Sequence, residues 1–259
     1  MARATGASNR TRTPGAGGRT PGPARSRSRL PHRRSLPAIA LFARAPVPGQ
    51  AKTRLIPTLG PAGAARFQAA LVADGLAKLG SLRTHAQPYM FVAGAESRGR
   101  AVAARPASGE IAVRQQRGAE LGARLFDAFL RLLRRYRAVI VIGADSPELA
   151  PSTVRLALSE LKSCDAVLGP CPDGGYYLIG LRRLARRLPQ DLFRGVRWGS
   201  RHAFRDTLRN LLDHGWVVSI LDPLRDVDRP PDLGRLTRLL RRSAGLRRLS
   251  PAVWRFLSQ

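Results

Sequence analysis

The architecture of this chain follows from residues 38–55, which read Ala38-Ile-Ala-Leu-Phe-Ala-Arg-Ala-Pro-Val-Pro-Gly-Gln-Ala-Lys-Thr-Arg-Leu55. The apolar run 38–43 predicts a buried strand of a parallel sheet. A stiff loop with two prolines and Gly49 follows, and a helical pattern then predicts a helix over about 61–79. Strand, tight loop and helix in this order are typical of the first unit of an α/β nucleotide-binding fold, whose ligands lie beyond the carboxyl ends of the strands.

Two basic residues of this loop, Lys52 and Arg54, are candidates for binding a polyphosphate. A lysine supplies a point charge and an arginine supplies a planar fork of donors. The loop is neither a Walker A motif nor a dinucleotide-binding glycine motif, because the glycines that those motifs require are absent. The alternative is that the two residues open a solvated helix.

The composition indicates a folded protein with an unusual charge. The chain has 259 residues, enough for one large α/β domain or two small ones, and 44% of them are hydrophobic. The 45 basic and 17 acidic residues give a formal net charge of +28, which raises the hypothesis of a nucleic-acid-binding protein. All but three of the basic residues are arginine. We therefore favour arginine enrichment from GC-rich codon usage over a dedicated nucleic-acid surface.

Residues 1–34 contain mainly Gly, Pro, Ser, Thr and Arg, with no acidic residue, which predicts a disordered basic tail. The alternative is a start codon assigned too far upstream. The two cysteines, Cys164 and Cys171, form no metal-ligand pattern, so a reducing cytoplasmic compartment is expected. No apolar run approaches the roughly 18 residues that a membrane span requires.

The remaining patterns continue the alternation of strands and helices. Apolar runs predict strands over 88–94, 111–116, 138–145, 165–169, 176–181 and 216–221. Helical spacing and proline positions predict helices over about 121–133, 151–161 and 201–213, and a further helix that starts at Pro230 or Pro231.

Acidic residues follow two of these predicted strands. Asp145 ends a central strand and is followed by Ser-Pro, so it is expected in the ligand crevice at the carboxyl edge of the sheet. Mg²⁺ takes one or two carboxylates and leaves its other positions to water and phosphate oxygens. Asp226 and Asp228 lie just beyond the last strand and are candidates for the same crevice. The alternative for all three is helix capping or turn chemistry.

A glycine turn with aromatic neighbours forms the third candidate region. Asp173-Gly174-Gly175 predicts a tight turn that allows close backbone approach. An ordinary hairpin turn is one interpretation, and a sugar or base contact helped by the adjacent Tyr176 is the other. Trp198 could stack on a ring, although filling the core is the commoner role of a tryptophan.

Together these motifs resemble a bacterial GT-A-like family called selenodomain-associated transferase 1, or domain of unknown function 2064. The matching segments run in the family's order: Phe42–Leu55, Gly143–Pro147, Gly169–Leu181, Phe193–Trp198 and Asp226–Asp228. The resemblance implies an α/β nucleotide-diphospho-sugar transferase fold, with a mixed, mostly parallel sheet flanked by helices. It assigns residues 35–245 to this domain and leaves 246–259 as a C-terminal tail or helix.

The resemblance also implies roles for individual residues. Asp145, with Asp226 or Asp228, would hold Mg²⁺ or Mn²⁺, and Asp145 and Asp173 would be the catalytic residues, with Asp173 facing the acceptor as orienter or base. The implied nucleotide- and phosphate-binding positions are Arg44, Gly49, Lys52, Thr53 and Arg54. The implied substrate-binding positions are Gly174, Gly175, Tyr176 and Trp198.

The expected activity is transfer of a sugar from a nucleoside-diphosphate sugar to a small acceptor. A nucleotidyltransferase of the guanylyl or cytidylyl type is the alternative, because Ala51–Leu55 and Asp226–Leu233 also resemble such enzymes of the same fold. It would consume a nucleoside triphosphate and release pyrophosphate. Pro147 stands where many GT-A glycosyltransferases have the second acid of Asp-x-Asp, which keeps this alternative open.

Overall fold

A computed structural model of the chain describes residues 36–94 and 111–259. The predicted basic tail, residues 1–34, lies outside the described residues. In the described part, helices flank both faces of one seven-stranded sheet. No helix there has the length and the apolar composition needed to cross a membrane.

The sheet is mixed and mostly parallel, as expected. Its strands are β1 (Ala38–Arg44), β2 (Gln87–Ala93), β3 (Ala112–Gln115), β4 (Ala138–Gly143), β5 (Ala166–Pro170), β6 (Tyr176–Arg182) and β7 (Val218–Ile220). Their order across the sheet is β3-β2-β1-β4-β6-β5-β7. β6 runs antiparallel to both of its neighbours, β4 and β5, and the other neighbouring pairs are parallel.

The helices of the described residues follow the predicted positions. They are α1 (Ile56–Ser81), α2 (Leu121–Leu133), α3 (Pro151–Glu160), α4 (Ala203–Asp213), α5 (Pro230–Arg242), α6 (Ala244–Leu249) and α7 (Pro251–Leu257). α1 is interrupted at Gly60, whose φ is 67°, so its long part begins at Pro61 as predicted. The start of this helix could be predicted from the proline alone. Proline has no backbone N–H, and at the first helical position that N–H would have no partner within the helix, so proline is well tolerated there.

The core is divided by the sheet. Alternate residues of β1 face opposite sides, because side chains of a strand alternate between its faces. Ile39 and Leu41 pack with apolar residues of α1 and α3, whereas Ala40 and Phe42 pack with those of α2 and α4. β1 is therefore buried on both faces, as its continuous apolar sequence predicted.

A separate apolar cluster joins α1 to the C-terminal helices. Phe67 and Leu71 of α1 are buried together with Leu240 of α5 and Val253 of α7. Residues 251–257 thus form a helix that packs against the domain through a fully buried side chain.

Candidate active site

The carboxyl ends of β1 and β4 bring Lys52 and Asp145 together. The two strands are parallel neighbours, with Phe42 opposite Gly143, so the loops that follow them leave the sheet at the same edge. Lys52 Nζ lies 2.8 Å from Asp145 Oδ1 and donates to the carbonyl oxygen of Val227 at 2.6 Å. The structure therefore confirms the expected position of Asp145 at the crevice and adds a direct cationic partner.

The backbone of the first loop presents Lys52 in an unusual conformation. The N–H groups of Gln50 and Ala51 both donate to the carbonyl oxygen of Val47, which closes a tight turn around Gly49. Lys52 follows with φ 48° and ψ 45°, in the left-handed region that costs a side-chain-bearing residue about 1–2 kcal/mol. Its side chain is only 3% exposed. The structure thus places the ammonium against Asp145, and a direct phosphate contact by Lys52 stays a prediction.

The segment between β7 and α5 closes the site from another side. The Val227 N–H donates to the Asp145 carbonyl oxygen at 2.9 Å, while the Val227 carbonyl accepts from Lys52. Asp228 is hydrogen-bonded by Arg54 Nη1 and lies 3.9 Å from Lys52 Nζ. Asp145 and Asp228, expected to share one crevice, are therefore linked through the same lysine.

Negative charge accumulates beside this lysine. Burial first, and then the neighbouring carboxylates of Asp173 and Asp145, raise the pKa of Asp226 to about 6 against the opposing effect of Lys52. Burial and the same carboxylates raise the pKa of the Cys171 thiol far above its ordinary value. The carboxylates of Asp145, Asp173 and Asp226 thus lie near enough to influence one another, and their roles in the site stay predictions. Cys171 is a protonated thiol rather than a nucleophile.

Asp173 lies in the turn that joins β5 to β6, which confirms the predicted turn. Its Oδ1 accepts the Gly175 N–H at 2.9 Å, and the Gly174 N–H donates to the Cys171 carbonyl oxygen. Gly174 has φ 90°, and a Cβ there would lie 2.2 Å from the carbonyl oxygen of Arg201. Packing against that backbone explains the glycine, and its expected substrate contact stays a prediction.

The two aromatic candidates lie together on the α2 side of the sheet. Tyr176 and Trp198 meet edge to face with ring centroids 6.2 Å apart, and Trp198 also contacts Phe193. Burial raises the pKa of the Tyr176 hydroxyl. Both rings are only partly exposed and pack against the core cluster of α2 and α4, so the structure supports the core-filling interpretation of Trp198.

A cavity of about 270 Å³ adjoins the carboxyl ends of β1, β2 and β3. Its described lining residues are Arg44, Ala45, Gln50, Ala93, Gly94, Gln115, Gln116, Gly118 and Arg124. Gln116 Nε2 donates to the carbonyl oxygens of Ala43 and Phe91, which fixes its side chain across β1 and β2. Arg44 was expected at a nucleotide site. Gln115, Gln116 and Arg124 were missed. The position of Gln115 and Gln116 at the end of β3 could have indicated these two, whereas Arg124 comes from the first turn of α2.

The residues present suit a divalent metal in part. No group of three or more His, Cys, Asp or Glu side chains within residues 36–94 and 111–259 has the arrangement of a metal site. Asp145 and Asp226 still supply two carboxylates, which suffices for Mg²⁺ when phosphate and water complete its coordination. Burial is the main cause of the raised pKa of Asp226, and the neighbouring carboxylates add negative charge that a divalent cation would offset. The donor set therefore fits a metal shared with a phosphate ligand.

Comparison with known proteins agrees with this geometry. The model of a family of uncharacterised proteins conserved in bacteria, domain of unknown function 2064, matches residues 78–200. No curated protein matches the chain. The chain is similar to the crystal structure of a candidate nucleotide-diphospho-sugar transferase from Desulfovibrio desulfuricans G20, at 31% identity and a TM-score of 0.77. The similarity covers 86% of this chain and 94% of that one.

Two cytidylyltransferases share the fold at much lower identity. The 4-diphosphocytidyl-2C-methyl-D-erythritol synthase of Anaerococcus prevotii is 8% identical with a TM-score of 0.51, and covers 80% of this chain and 99% of its own. A cytidylyltransferase of Leptospira borgpetersenii is 11% identical with a TM-score of 0.50, and covers 84% and 95%. These two likenesses concern the fold alone, which is the expected GT-A-like α/β fold.

Proposed function

The chain is a transferase of the family of domain of unknown function 2064, within the GT-A-like superfamily, and we propose that it moves a sugar from a nucleoside-diphosphate sugar to a small acceptor. The observation that carries this proposal is the arrangement at one edge of the sheet. Lys52 Nζ lies 2.8 Å from Asp145 Oδ1, and the carboxylates of Asp226 and Asp173 add negative charge nearby. A cavity with amide and guanidinium groups lies at the same edge.

The nucleotide end of the donor would bind at the cavity beside β1, β2 and β3. Its amide and guanidinium groups, including Gln115 and Arg44, can donate hydrogen bonds to a base or ribose. Gly49, Thr53 and Arg54 are exposed on the adjoining loop and are available to the phosphates. Arg54 is well placed for this, because its side chain is 57% exposed while its guanidinium stays beside Asp228.

Asp145 and Asp226, with Asp228 nearby, would hold Mg²⁺ or Mn²⁺. When bound, the metal would supply positive charge that stabilises the leaving diphosphate. The chain's own contribution is positional: Lys52 donates to Asp145 and to the Val227 carbonyl oxygen, and so keeps the carboxylate oriented toward the crevice. The Asp145 side chain remains 48% exposed, so a ligand can reach it.

The acceptor would approach from the turn between β5 and β6. Asp173 is exposed there, and its position beside Asp226 leaves it close to the reacting groups. A carboxylate in this place can orient an acceptor hydroxyl and take its proton as the sugar is transferred. Gly174 and Gly175 would shape this side of the site, with Tyr176 and Trp198 supporting the turn from the core.

A thermal-shift panel tests the proposal. Nucleoside diphosphates, triphosphates and diphospho-sugars are screened with and without Mn²⁺, because a ligand of the native state raises the melting temperature. We expect a Mn²⁺-dependent shift with one diphospho-sugar that is lost in Asp145→Asn and Asp226→Asn. Asp213→Asn, an exposed carboxylate at the end of α4, is the matched control and should keep the shift. A shift that survives Asp145→Asn unchanged contradicts the metal role.

Nucleotidyl transfer is the second candidate, favoured by one observation. The loop after β4 carries Asp145 followed by Ser146 and Pro147, without a second aspartate two positions after Asp145, and the other aspartates come from the segment before α5. This activity predicts pyrophosphate release from a nucleoside triphosphate with an acceptor phosphate. A thermal shift with triphosphates only, together with pyrophosphate release, would show that the activity is nucleotidyl transfer and not sugar transfer.

The proposed partners are small molecules, and a nucleic-acid partner is not favoured. The observations above concern a crevice with acidic groups at its centre, which repels a polyphosphate chain unless a metal intervenes. We place the reaction in the cytoplasm, since Cys164 and Cys171 are both buried free thiols and such thiols suit a reducing compartment.

A further inference from the structure

A second cavity, of about 470 Å³, lies at the opposite edge of the sheet from Asp145. It is formed by α2, by the segment that follows β6, and by Trp216 just before β7. β6 is antiparallel to β4, so its end lies where β4 begins, whereas Asp145 follows the end of β4. A six-residue strand spans roughly 20 Å, which separates this cavity from the transfer site.

The cavity is strongly basic. No acidic residue is among its described lining residues. Five arginines line it, namely Arg134, Arg182, Arg183, Arg186 and Arg187. Within residues 36–94 and 111–259, one of them has an ionic partner, Arg182, which pairs with Asp165 at 2.5 Å. Arg186 also donates to the carbonyl oxygen of His214 at 2.9 Å. Among the described residues the other three have no ionic partner, and this excess of positive charge around a concave surface favours an anionic ligand.

Two buried donors of the cavity lack acceptors. Trp216 is only 3% exposed, and its Nε1–H has no hydrogen-bond acceptor in the described part of the chain. The Nε–H of Arg182 is likewise buried without an acceptor there. Neither atom is accessible to a water-sized molecule, so the donors that a ligand in the cavity can reach are the exposed guanidinium groups.

The rest of the lining is apolar. Phe126 and Leu130 of α2 and Leu188 of the segment after β6 contribute carbon surface next to the arginines. Leu130 is 44% exposed, so part of this carbon surface is open to a ligand. An inorganic anion would leave this surface in water, whereas a ligand with an apolar body would cover it.

We propose that this cavity is a second ligand site, separate from the transfer site, that binds a small organic anion with an apolar body. The anionic head, a carboxylate or a phosphate, lies among the arginines and accepts from their exposed guanidinium groups. The apolar body covers Phe126, Leu130 and Leu188. The proposal does not depend on sugar transfer, because it rests on residues at the other edge of the sheet.

Direct titration with octyl phosphate tests the site, with octanoate, inorganic phosphate and octanol as comparisons. We expect both octyl anions to bind, and inorganic phosphate and octanol to bind at least about tenfold more weakly, since each lacks one half of the ligand. Arg183→Gln combined with Arg187→Gln should weaken octyl phosphate binding about tenfold.

Matched variants separate this site from general charge and from the transfer site. Arg241→Gln combined with Arg242→Gln removes the same charge from exposed positions of α5, and Asp145→Asn alters the other site; both should bind octyl phosphate as the unaltered protein does. Equal loss in the two arginine pairs, or unchanged binding in the Arg183 and Arg187 variant, overturns the proposal. So does binding only to anionic phosphatidylglycerol vesicles with none to octyl phosphate, because that result indicates a membrane surface contact.

Discussion

At the scale of single residues, Lys52 is the most informative position in the molecule. It combines a left-handed backbone, a side chain that is 3% exposed, and contacts to Asp145 and to the carbonyl oxygen of Val227. A lysine suits this point because its ammonium carries three donors and no acceptor. The strain of its backbone is offset by contacts that join the loop after β1 to two other loops of the site.

Lys52→Met should destabilise the protein by about 1–3 kcal/mol, because the buried ammonium is the donor to the Val227 carbonyl oxygen and the ionic partner of the half-exposed Asp145 carboxylate. Arg54→Met is the matched control, since Arg54 also pairs with an aspartate, Asp228, but its side chain is 57% exposed. The control should cost less than about 1 kcal/mol. Urea unfolding of both variants gives the comparison, and equal losses would show that Lys52 does not organise the site.

Asp226 makes the stability depend on pH. Its pKa is about 6 in the folded chain and 3.8 as the ordinary value, so the native state holds an extra proton between these pH values. The associated stability is present below pH 3.8 and is lost as the pH rises through about 6. Asp226→Asn should therefore gain stability relative to the unaltered protein on going from pH 4 to pH 7.5, by up to about 3 kcal/mol.

Chemical unfolding at the two pH values, with a chelator present, measures this difference. Asp213→Asn serves as the control, because its carboxylate is exposed and lies at the end of α4. The free-energy gap between Asp226→Asn and the unaltered protein should widen with pH, while the gap for the control stays constant. A gap for Asp226→Asn that does not widen contradicts the crowding of carboxylates at this position.

At the scale of elements, the turn between β5 and β6 is held by close backbone packing. Gly174 donates its N–H to Cys171, and its carbonyl oxygen accepts from the Phe204 N–H at the start of α4. These bonds press the turn against the segment that contains Arg201. The position of Asp173 therefore depends on contact with α4 as well as on the turn sequence.

Gly174→Ala should lower the free energy of unfolding by about 2–4 kcal/mol, because it adds both a strained φ and a clash with the Arg201 backbone. Gly215→Ala separates the two effects. Gly215 also has a positive φ, of 72°, but no atom lies within 4 Å of its would-be Cβ, so only about 1 kcal/mol of backbone strain is expected. Similar losses in calorimetry would rule out the clash at Gly174.

The C-terminal helix α7 is tied to α1 and to the loop after Asp145. Asp74 of α1 accepts the N–H groups of Ala252 and Val253, which are unpaired within the first turn of α7. Lys78 donates to the carbonyl oxygen of Pro147 at 2.7 Å, and Ser250 donates to the same oxygen. Burial lowers the pKa of Lys78 to about 8. The last helix thus supports the loop that carries the site's central carboxylate.

Asp74→Ala should destabilise the protein by about 1–2 kcal/mol, the usual cost of a lost helix cap. It should also accelerate amide hydrogen exchange at Ala252 and Val253, because both N–H groups lose their acceptor. Asp213→Ala, at an exposed position, should change neither quantity. Exchange rates at the two amides that stay as slow as in the unaltered protein would show that Asp74 does not hold the helix.

At the scale of the whole molecule, the net charge of the chain is positive, whereas the proposed site is acidic. Nine of the 45 basic residues lie in residues 1–34, which contain no acidic residue, so removing this segment lowers the formal net charge from +28 to +19. The site itself gathers four aspartates around one lysine. The net positive charge of the chain is therefore a property of its surface, whereas the site itself is acidic.

RNA binding by the chain should accordingly be unselective. We expect fluorescence anisotropy to give the same affinity for two unrelated RNA sequences, and that affinity should fall steeply between about 50 and 200 mM salt. Deleting residues 1–34 should reduce the salt dependence, because fewer counterions are released. Selective binding of one RNA that persists at the higher salt concentration would restore the nucleic-acid hypothesis.

Local patterns predicted most of the fold and part of the site. Apolar runs located the strands, and the proline at position 61 located the long part of α1. The rule that ligands lie at the carboxyl ends of parallel strands located Asp145 and grouped it with Asp226 and Asp228. Each of these features depends on the residue itself and its near neighbours, or on a motif that keeps its spacing.

The amino-acid sequence alone thus determined the α/β alternation, the GT-A-like family and the acidic residues of the crevice. Only the tertiary structure decided the pairing of Lys52 with Asp145 and with Val227, 175 positions away, and the support of the Asp145 loop by α7. It also decided the arginine-lined cavity at the other edge of the sheet. The physical reason is that these contacts join residues far apart in the chain, and their partners are set by strand order and packing rather than by any local preference.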